Sequence, residues 1–335
     1  MVENNQKLQQ KPQQSGIDKM TGFYKRVSGF GKQAFYKLSN LEKSNMELAI
    51  RQLKKGEFFD AAMRFKFVLL LNKNNSIAQY LLGKSYFFAG KFDKAAAPLK
   101  KAIAARPDLD EARFLLAACG GDITIKSIPR SFIIEKLDFI STRYEAFVEG
   151  TSSVLNNILA EEFKKIIGEN MGFNVLDLGC RGGDSAQILR PISNAVVGVE
   201  PSLKMVAIAR TRRINDLLTF NLIATKFPED FMKECKDKFA VVISTYYLDN
   251  LGDLKDYFHD VHNLLEKGGL FAFNISRDLE LGTNDYAFKS KTLIFSHSAS
   301  YIKKLADNIG FNIASEREAT YSSGAVDLVY ILEKK

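Results

Sequence analysis

Short apolar runs alternate with amphipathic stretches of helical length through the second half of the chain. Apolar runs bounded by turn residues predict buried strands, and apolar positions spaced three and four residues apart predict helices. The predicted strands are 174–178, 195–199, 218–223, 239–244, 269–274, 311–316 and 326–332, and the predicted helices start at 184 or span 203–212, 253–265 and 298–309. This alternation predicts an α/β fold, in which helices cover both faces of a seven-stranded, mostly parallel sheet.

Residues 42–120 follow a different pattern, an internal repeat with a period of 34 residues. The matched positions are Gly56 and Gly90, Ala61 and Ala95, and Phe65 and Leu99, and the second copy adds Gly83, Tyr86, Ala102 and Pro107. Small residues at such positions let two antiparallel helices cross closely. The repeat resembles the tetratricopeptide repeat (TPR), and the resemblance implies an all-α domain with a groove for a peptide or partner protein. Lysines such as Lys54, Lys84 and Lys91 would suit an acidic peptide there.

The patterns divide the chain into five segments. Residues 1–20 are rich in Gln, Asn and Lys and poor in apolar residues, so we expect disorder. Residues 21–41 interleave aromatic and basic side chains, which favours capping of the helical domain; stacking on single-stranded nucleic acid or binding to a membrane surface are the alternatives. Residues 42–120 hold the repeats, 121–131 form a linker with Gly, Ser and Pro, and 132–335 form the α/β domain.

Composition and charge narrow the class of protein. With 335 residues and 46% hydrophobic content, the chain can build two cores. The sequence contains no apolar run of the roughly 20 residues that span a bilayer and no apolar amino-terminal signal, so we expect a cytoplasmic protein. Its three cysteines lack metal-type spacing, so no metal site is expected.

Positive charge is concentrated in the first part of the chain. Residues 1–130 carry 23 Lys and Arg against 11 Asp and Glu, within a total net charge of +8. Such a bias can attract nucleic acid, but scattered lysines on helical faces are usually solvated. Nucleic-acid binding is therefore the weaker alternative to a protein partner.

The stretch NVLDLGCRGGD, residues 174–184, carries the clearest chemistry. An apolar strand containing Asp177 runs into a glycine cluster, and backbone N–H groups at the start of the following helix suit an anionic group of a ligand. The glycine spacing does not match the dinucleotide fingerprint G-x-G-x-x-G. The second predicted strand, 195–199, ends at Glu200, a position that suits the hydroxyls of a ribose.

The loop, the acidic strand end and the EKGG turn at 266–269 resemble class I S-adenosylmethionine (SAM)-dependent methyltransferases, and more narrowly the bacterial methyltransferases fused to TPR repeats. Further blocks that resemble this group are LDFISTRYE (137–145), LDNLGDL (248–254), GGLFAFNIS (268–276) and FSHSASYIKKLADNIGF (295–311). The resemblance implies a Rossmann-like fold and SAM as the cofactor. Asp177 would hold the loop or the amino group of the cofactor, and Glu200 would accept both ribose hydroxyls.

The resemblance also implies a set of cofactor-binding residues. They are Tyr144, Asp177, Gly179, Cys180, Arg181, Gly182, Gly183, Glu200, Pro201, Ser202, Asn221, Ala224, Thr225, Ser244 and Tyr246. Methyl transfer needs an aligned acceptor that loses its proton, so His297 is the candidate base, with a structural histidine as the alternative.

Three positions depart from the family pattern. Arg181 stands where the loop usually has a second glycine, Ala224 and Thr225 stand where an Asp usually accepts from the adenine, with Asn221 nearest, and Tyr246 replaces an acidic residue. The leading hypothesis is methyl transfer from SAM to an unidentified acceptor, with the repeats positioning a protein partner or substrate. The alternative is a TPR adaptor whose methyltransferase-like domain binds SAM weakly or not at all.

Overall fold

The computed structural model describes residues 37–168, 172–212, 220–277 and 285–335. The chain divides into two compact units, Met1–Leu115 and Leu116–Lys335. The tail expected at 1–20 and most of the basic and aromatic segment at 21–41 lie outside the described residues. Among the helices within those ranges, none has the length and apolar character needed to cross a membrane.

The described part of the first unit, from residue 37 onward, is helical. Its elements are α1 (37–55), α2 (Phe58–Leu71), α3 (Ser76–Phe88), α4 (Phe92–Ala105) and α5 (Asp110–Ala118), the last of which crosses the boundary between the units. Helices α2 and α4 start 34 residues apart, and so do α3 and α5. The period that the sequence shows is therefore a period of helices.

Close packing of α3 on α4 explains the glycine at position 83. A Cβ atom there would lie 2.5 Å from Cγ of Leu99, so no larger residue fits without movement. Ala61, Ala95 and Leu99 are fully buried at their matched positions. The small residues thus set the distance between neighbouring helices.

The second unit opens with helices and continues as an α/β fold. Its first elements are α6 (Arg130–Ser141), α7 (Tyr144–Phe147), a π-helical turn (Val148–Ser152) and α8 (Ser153–Ile167). The strands are β1 (Phe173–Leu178), β2 (Ser193–Glu200), β3 (Phe220–Ala224), β4 (Phe239–Ser244), β5 (Leu265–Ser276), β6 (Tyr286–Lys289), β7 (Ile294–His297), β8 (Phe311–Thr320) and β9 (Val326–Lys334). The helices between them are α9 (Asp184–Leu189), α10 (Leu203–Thr211), α11 (Pro228–Glu234), α12 (Lys255–Leu264) and α13 (Ala299–Ile309).

Seven of these strands form one sheet in the order β3-β2-β1-β4-β5-β9-β8. The first five are parallel, and β9 runs antiparallel to both β5 and β8. The predicted seven-stranded, mostly parallel sheet is confirmed. Strand order reverses at β1, so the carboxyl ends of β1, β2 and β4 meet at one edge, where ligands bind in open α/β sheets.

Two elements were not predicted from the sequence, the β6–β7 hairpin and α11. The strands of the hairpin are four residues each and carry no long alternating pattern. Helix α11 has Pro228 in its first turn, a start signal that was available in the sequence. Strand β5 also begins at Leu265, earlier than expected, and β8 continues to Thr320.

The core that supports the ligand edge lies between α8 and the sheet. Leu155 and Leu159 of α8 pack in one buried cluster with Val175 of β1 and Val241 and Ile243 of β4. Burial of these side chains fixes β1 and β4 side by side. The loops that follow the two strands therefore start from fixed points.

Candidate functional site

The loop after β1 is tied to β2 by its own backbone. The N–H groups of Gly179 and Cys180 both donate to the carbonyl oxygen of Val199, at 2.8 and 3.1 Å. Gly183 then adopts a φ of 81° immediately before α9, a conformation that favours glycine. Cys180 is buried within this turn. The loop is thus held at the strand ends, as predicted from its sequence.

Asp177 is fully buried in β1, and neither carboxylate oxygen has a hydrogen-bond partner among the described residues. Burial, with Asp184 and Glu200 nearby, raises the pKa of this carboxyl well above its usual range. A buried polar group without a partner is rare and points to a ligand or an unmade contact. A hydrogen-bond donor such as an amino group would satisfy it, so Asp177 fits the amino group of SAM.

Glu200, at the end of β2, is also fully buried, but both of its oxygens are hydrogen-bonded. Oε2 accepts from the N–H of Arg181 at 2.9 Å, and Oε1 accepts from the N–H of Ser202 at 2.7 Å. Burial raises the pKa of Glu200 to about 7. Each carboxylate oxygen can accept a second hydrogen bond, so the pair of ribose hydroxyls predicted from the sequence can still be accommodated.

Ser202 and Pro201 hold the start of α10 in place beside Glu200. The hydroxyl of Ser202 caps the helix by accepting from the N–H of Met205 at 3.3 Å, and it donates to Asp138 at 2.9 Å. Pro201 is buried next to it. These two predicted site residues orient Glu200 and close the side of the pocket.

Tyr144 lies across the glycine loop. Its hydroxyl donates to Asp184 at 2.5 Å and accepts from the N–H of Gly182 at 2.9 Å. Asp184 also pairs with Arg212. A Cβ atom on Gly182 would lie 2.4 Å from the Tyr144 ring, so this glycine is required by the tyrosine and not by a ligand alone.

Arg181 projects into the pocket. Its backbone has a φ of 51°, which is strained for a residue with a side chain. The guanidinium carbon lies 4.8 Å from the ring centre of Phe147 and 4.6 Å from that of Tyr246, and Nη2 donates to the carbonyl of Tyr246 at 3.2 Å. Nη1 has no hydrogen-bond partner among the described residues, although the side chain is buried.

Tyr246 and Ser244 follow β4 but face different surroundings. Tyr246 has a φ of 56°, its N–H donates to Asn274 at 2.7 Å, and its hydroxyl lies 3.2 Å from that of Tyr321. The hydroxyl of Ser244 is fully buried and bonded to the carbonyl of Leu178 at 3.1 Å. Ser244 therefore joins β4 to β1, whereas Tyr246 faces the pocket.

The end of β3 supplies the remaining predicted residues. Asn221 is exposed, and Ala224 is half-buried at the last position of the strand. Thr225 is exposed, has a φ of 59°, and donates its hydroxyl to the carbonyl of Ala224 at 2.7 Å. Within the described residues 221–225, no carboxylate is available to an adenine amino group.

Two cavities adjoin the loop. The smaller one has a volume of about 10 Å³ and includes Gly179, Glu200 and Pro201 in its wall. That volume holds no more than about one water molecule, so side chains must move before a cofactor can enter. The larger one has a volume of about 350 Å³, within the range of small-molecule sites. Both cavities share Arg181, Tyr246 and Lys136 in their walls.

Two buried carboxyl groups in the wall of the larger cavity were not predicted as site residues. Asp249 accepts from the N–H of Ser276 at 3.0 Å, and burial together with Asp327 raises its pKa to about 7. Asp327 accepts from Asn274 and from the hydroxyl of Tyr321, both at 2.8 Å. Asp249 lies in the sequence block 248–254 and could have been found there, whereas Asp327 belongs to β9, whose place depends on strand order.

His297 is not in the wall of either cavity. It is buried at the end of β7, with Nε2 2.9 Å from the carbonyl oxygen of Gly252 and its ring stacked on Tyr301. Burial lowers its pKa to about 4. This placement corrects the expectation of a catalytic base, because the imidazole is packed among aromatic rings, and it favours the structural alternative.

Comparison with known proteins agrees with this geometry. Residues 131–316, more than half of the chain, match the model of a methyltransferase domain family. A curated relative, the ubiquinone biosynthesis O-methyltransferase of Rhizobium etli, is 26% identical over 110 residues, which are 32% of this chain and 44% of the relative. The chain thus spans less than half the length of that relative.

Two solved structures are also similar. A magnesium protoporphyrin IX methyltransferase from Synechocystis PCC 6803 with bound S-adenosyl-L-homocysteine (SAH) is 14% identical, with a TM-score of 0.49, over 62% of this chain and 100% of that chain. An N-methyltransferase from Bradyrhizobium japonicum WM9 in complex with SAH is 12% identical, with a TM-score of 0.48, over 60% of this chain and 97% of that chain. On the family match, which covers more than half of its residues, the chain belongs to the methyltransferase domain family.

Proposed function

We propose that this chain transfers a methyl group from SAM to an acceptor that binds in the larger cavity. The observation that carries the proposal is that two buried carboxyl groups, Asp177 and Glu200, lie at the edge where β1 and β2 end, and that Asp177 has no hydrogen-bond partner within the part of the chain that the structure describes. The Asp177 carboxyl group can accept hydrogen bonds from a ligand, and the Glu200 carboxyl group is held in place by the N–H groups of Arg181 and Ser202. Together they can bind the two ends of a nucleoside linked to an amino acid.

SAM supplies a methyl group on a positively charged sulfonium, so the protein has to align the acceptor and take up its proton. Asp249 lies in the wall of the larger cavity, and burial together with Asp327 raises its pKa, so its carboxylate is a stronger base than an ordinary one and can accept that proton. Hydroxyl acceptors need such a base. The name of the curated relative, an O-methyltransferase, supports an oxygen acceptor here as well.

The acceptor is a small molecule or a single side chain. A cavity of about 350 Å³ is at the small end of ligand sites, so it cannot hold a folded segment. Phe147 and Tyr321 provide apolar walls, and Lys136, whose pKa is lowered by burial, provides an amino group that can donate hydrogen bonds. These walls suit a ring that carries a hydroxyl group.

The helical unit serves, in this proposal, as a TPR array that docks a protein partner. Support comes from the 34-residue spacing of its helices and from a groove of about 910 Å³ on the unit. The groove combines an apolar floor with three lysines and no carboxylates; its walls include Lys66, Leu69, Leu70, Lys73, Leu82, Pro98 and Lys101. The walls of this groove do not include Lys54, Lys84 or Lys91, lysines whose face the sequence left open.

Charge selects the occupant of this groove. Residues 1–36 of the chain carry six Lys and Arg against two Asp and Glu, so the groove lysines would repel this segment and it is a poor occupant of the groove. A partner segment with acidic residues beside apolar ones fits, because Leu70 is 83% exposed next to Lys66 and Lys73. The repeats would then bring a protein substrate or partner to the chain.

A binding experiment tests the groove. The probe is a short fluorescein-labelled helical peptide with Leu on one face and Glu on the other, and its control is the same peptide with Lys for Glu. We expect the Glu peptide to bind the full chain and to lose affinity in the K66E/K73E/K101E variant. Charge reversal at Lys54, Lys84 and Lys91 is the matched control and leaves binding unchanged. Equal binding of both peptides would contradict the proposal.

Methyl transfer is tested with SAM that carries a labelled methyl group. The full chain is incubated with the small-molecule and protein fractions of a cell extract, and Glu200→Ala serves as the matched inactive variant. Label in a small molecule or a protein that depends on Glu200 supports the proposal. Binding of SAM without transfer to any fraction favours the second candidate.

That second candidate is an adaptor whose methyltransferase fold binds SAM weakly or not at all. It is favoured by a specific observation: the space beside Glu200 is only about 10 Å³, and Arg181 and Tyr246 are in its wall. The two candidates differ in how tightly the chain binds SAM and in whether it completes transfer to an acceptor.

A further inference from the structure

Arg181 separates the two cavities beside the glycine loop. Its side chain is in the wall of the small space next to Glu200 and in the wall of the larger cavity, and Tyr246 shares both positions. If SAM binds at Glu200 and the acceptor binds in the larger cavity, the methyl group must be presented where the two spaces meet. The guanidinium of Arg181 therefore lies at the place through which transfer has to occur.

The surroundings of the guanidinium form a site for a cation. The rings of Phe147 and Tyr246 meet edge to face, 5.6 Å apart at 73°, and the guanidinium carbon lies within 5 Å of both ring centres. Aromatic faces attract a desolvated positive charge. The sulfonium of SAM is such a charge, whereas the sulfur of SAH, the product, is neutral.

The hydrogen bonds that hold Arg181 in this aromatic site are few. The remaining attraction comes from the two rings and from buried carboxyl groups nearby, which are Asp177, Glu200, Asp249 and Asp327. Nη2 makes one hydrogen bond, to the carbonyl of Tyr246 at 3.2 Å, and Nη1 has no hydrogen-bond partner among the described residues. Its backbone is strained, with a φ of 51° at a position where the family usually has glycine. A strained residue with an unsatisfied donor is easier to displace than one held by a full set of hydrogen bonds.

We propose that Arg181 is a displaceable internal ligand, whose guanidinium occupies the position that the sulfonium of SAM takes, so that the cofactor must expel it in order to bind. The inference rests on the proposed function. It makes Arg181 a residue that sets cofactor affinity and selects between SAM and SAH. Because only part of the molecules have the site open, the apparent affinity for either cofactor is reduced by that fraction.

Charge gives the proposal a distinctive signature. Once displaced, the guanidinium remains near the loop and repels the sulfonium, but it does not repel neutral SAH. Removing Arg181 therefore tightens the binding of both cofactors, because the site is open, and tightens SAM more, because the repulsion is lost. A merely structural arginine would not change the ratio of the two dissociation constants in this direction.

The experiment is calorimetric titration of the full chain with SAM and with SAH. The variants are Arg181→Gly, which removes bulk and charge and suits the positive φ, and Arg181→Met, which keeps bulk without charge. Leu293→Gly is the matched control. Leu293 has a φ of 56° in the β6–β7 turn, so this substitution relieves comparable backbone strain away from the glycine loop. Thermal unfolding by circular dichroism checks that each variant folds.

We expect Arg181→Gly to bind SAM about tenfold more tightly than the natural chain, with a smaller gain for SAH. The SAM affinity of Arg181→Met should lie between those of the natural chain and Arg181→Gly. The affinity of Leu293→Gly should match that of the natural chain. Weaker or unchanged SAM binding in Arg181→Gly, while Glu200→Ala abolishes it, overturns the internal-ligand proposal and leaves the proposed function standing. Failure of every folded variant to bind SAM at millimolar concentration overturns both.

Discussion

The carboxyl edge of the sheet has an inner part, where β1 and β2 end, and two flanking positions, where β3 and β4 end on either side of that pair. We call the inner part the first edge and the flanking positions the second edge; they differ in the side chains that they present to a ligand. At the first edge, Gly179, Arg181 and Gly183 take left-handed conformations, and buried carboxyl groups stand at Asp177 and Glu200. At the second edge, Thr225 and Tyr246 adopt left-handed φ values although they carry side chains, with no carboxylate in either position. Arg181 connects the edges, with its backbone in the first and its guanidinium on Tyr246.

This difference shows which part of the sequence pattern reports on binding chemistry. The carboxyl groups that can anchor a cofactor, Asp177 and Glu200, are present at the first edge. At the second edge, the side chains that border the cofactor pocket depart from the family pattern. Strain of about 1–3 kcal/mol at a left-handed residue persists only where the surroundings hold it in place. A family motif can thus be intact in its anchors and changed in its cavity.

The largest effect is expected from removal of the main anchor at the first edge. Glu200→Ala deletes the acceptor for the ribose hydroxyls, and hydrogen bonds to a charged group contribute roughly 1.5–3 kcal/mol each. The affinity for SAM should fall by about a hundredfold or more. Calorimetry measures it, with Glu200→Gln as the matched variant that keeps the shape. An affinity within a factor of about three of the natural chain would show that Glu200 is not an anchor.

Gly182→Ala tests the packing of the first edge. The new methyl group would meet the ring of Tyr144 at 2.4 Å, so we expect the free energy of unfolding to fall by about 1–3 kcal/mol. Urea denaturation measures the change. The double variant with Tyr144→Ala should show little added cost from the alanine, because the ring that it meets is gone. A full cost in both backgrounds would mean that the glycine serves something other than the tyrosine.

Asp177→Asn tests the unpartnered carboxyl. Because burial raises the pKa of Asp177, the folded protein binds this proton more tightly than the unfolded chain does. Its effect on stability is therefore neutral below the unfolded pKa of about 3.9 and increasingly unfavourable as pH rises toward the folded pKa.

Asp177→Asn removes the group that ionises, and with it this unfavourable contribution to the free energy of unfolding. At pH 8 we expect the variant to be more stable by about 1–3 kcal/mol in urea denaturation, with a smaller gain at pH 5 and weaker SAM binding. The natural chain at the two pH values is the control. A variant that is less stable at pH 8 would show that the carboxylate has a protein partner after all.

The smallest effect is expected at the second edge. Thr225→Gly relieves a left-handed β-branched residue, worth about 1–2 kcal/mol, but glycine costs roughly 0.5–1 kcal/mol in chain entropy. The net gain in unfolding free energy should be below about 1 kcal/mol. Thermal unfolding measures it, with Thr225→Ala as the control that keeps a Cβ atom and should show no gain. A clear loss with glycine would mean that the threonine hydroxyl, bonded to Ala224, is needed there.

Much of the first edge could be predicted from the sequence, because its signals are local. A strand, a glycine cluster and an acidic strand end lie within 27 residues, Asn174 to Glu200, and each has a direct structural meaning. The seven-stranded sheet followed from strands and helices in alternation. The 34-residue period likewise appeared as a period of helices in the first unit.

The rest depended on tertiary placement. The sequence showed that Arg181 replaces a glycine, but the direction of its side chain is set by Phe147 and Tyr246, which come from distant elements. Asp327 reaches the larger cavity only because β9 inserts between β5 and β8. His297 was favoured for its chemistry, yet a strand that nothing in the local pattern indicated buries it among aromatic rings.

Titration of the full natural chain with SAM, beside Glu200→Ala, tests the central claim most directly. If the first edge is a working cofactor anchor, calorimetry will show saturable binding at one site, lost in the variant. The natural chain will bind below millimolar SAM, because the anchors outweigh the displacement of Arg181. Absence of binding at millimolar SAM in a chain that folds, or binding that is unchanged in Glu200→Ala, would contradict the account.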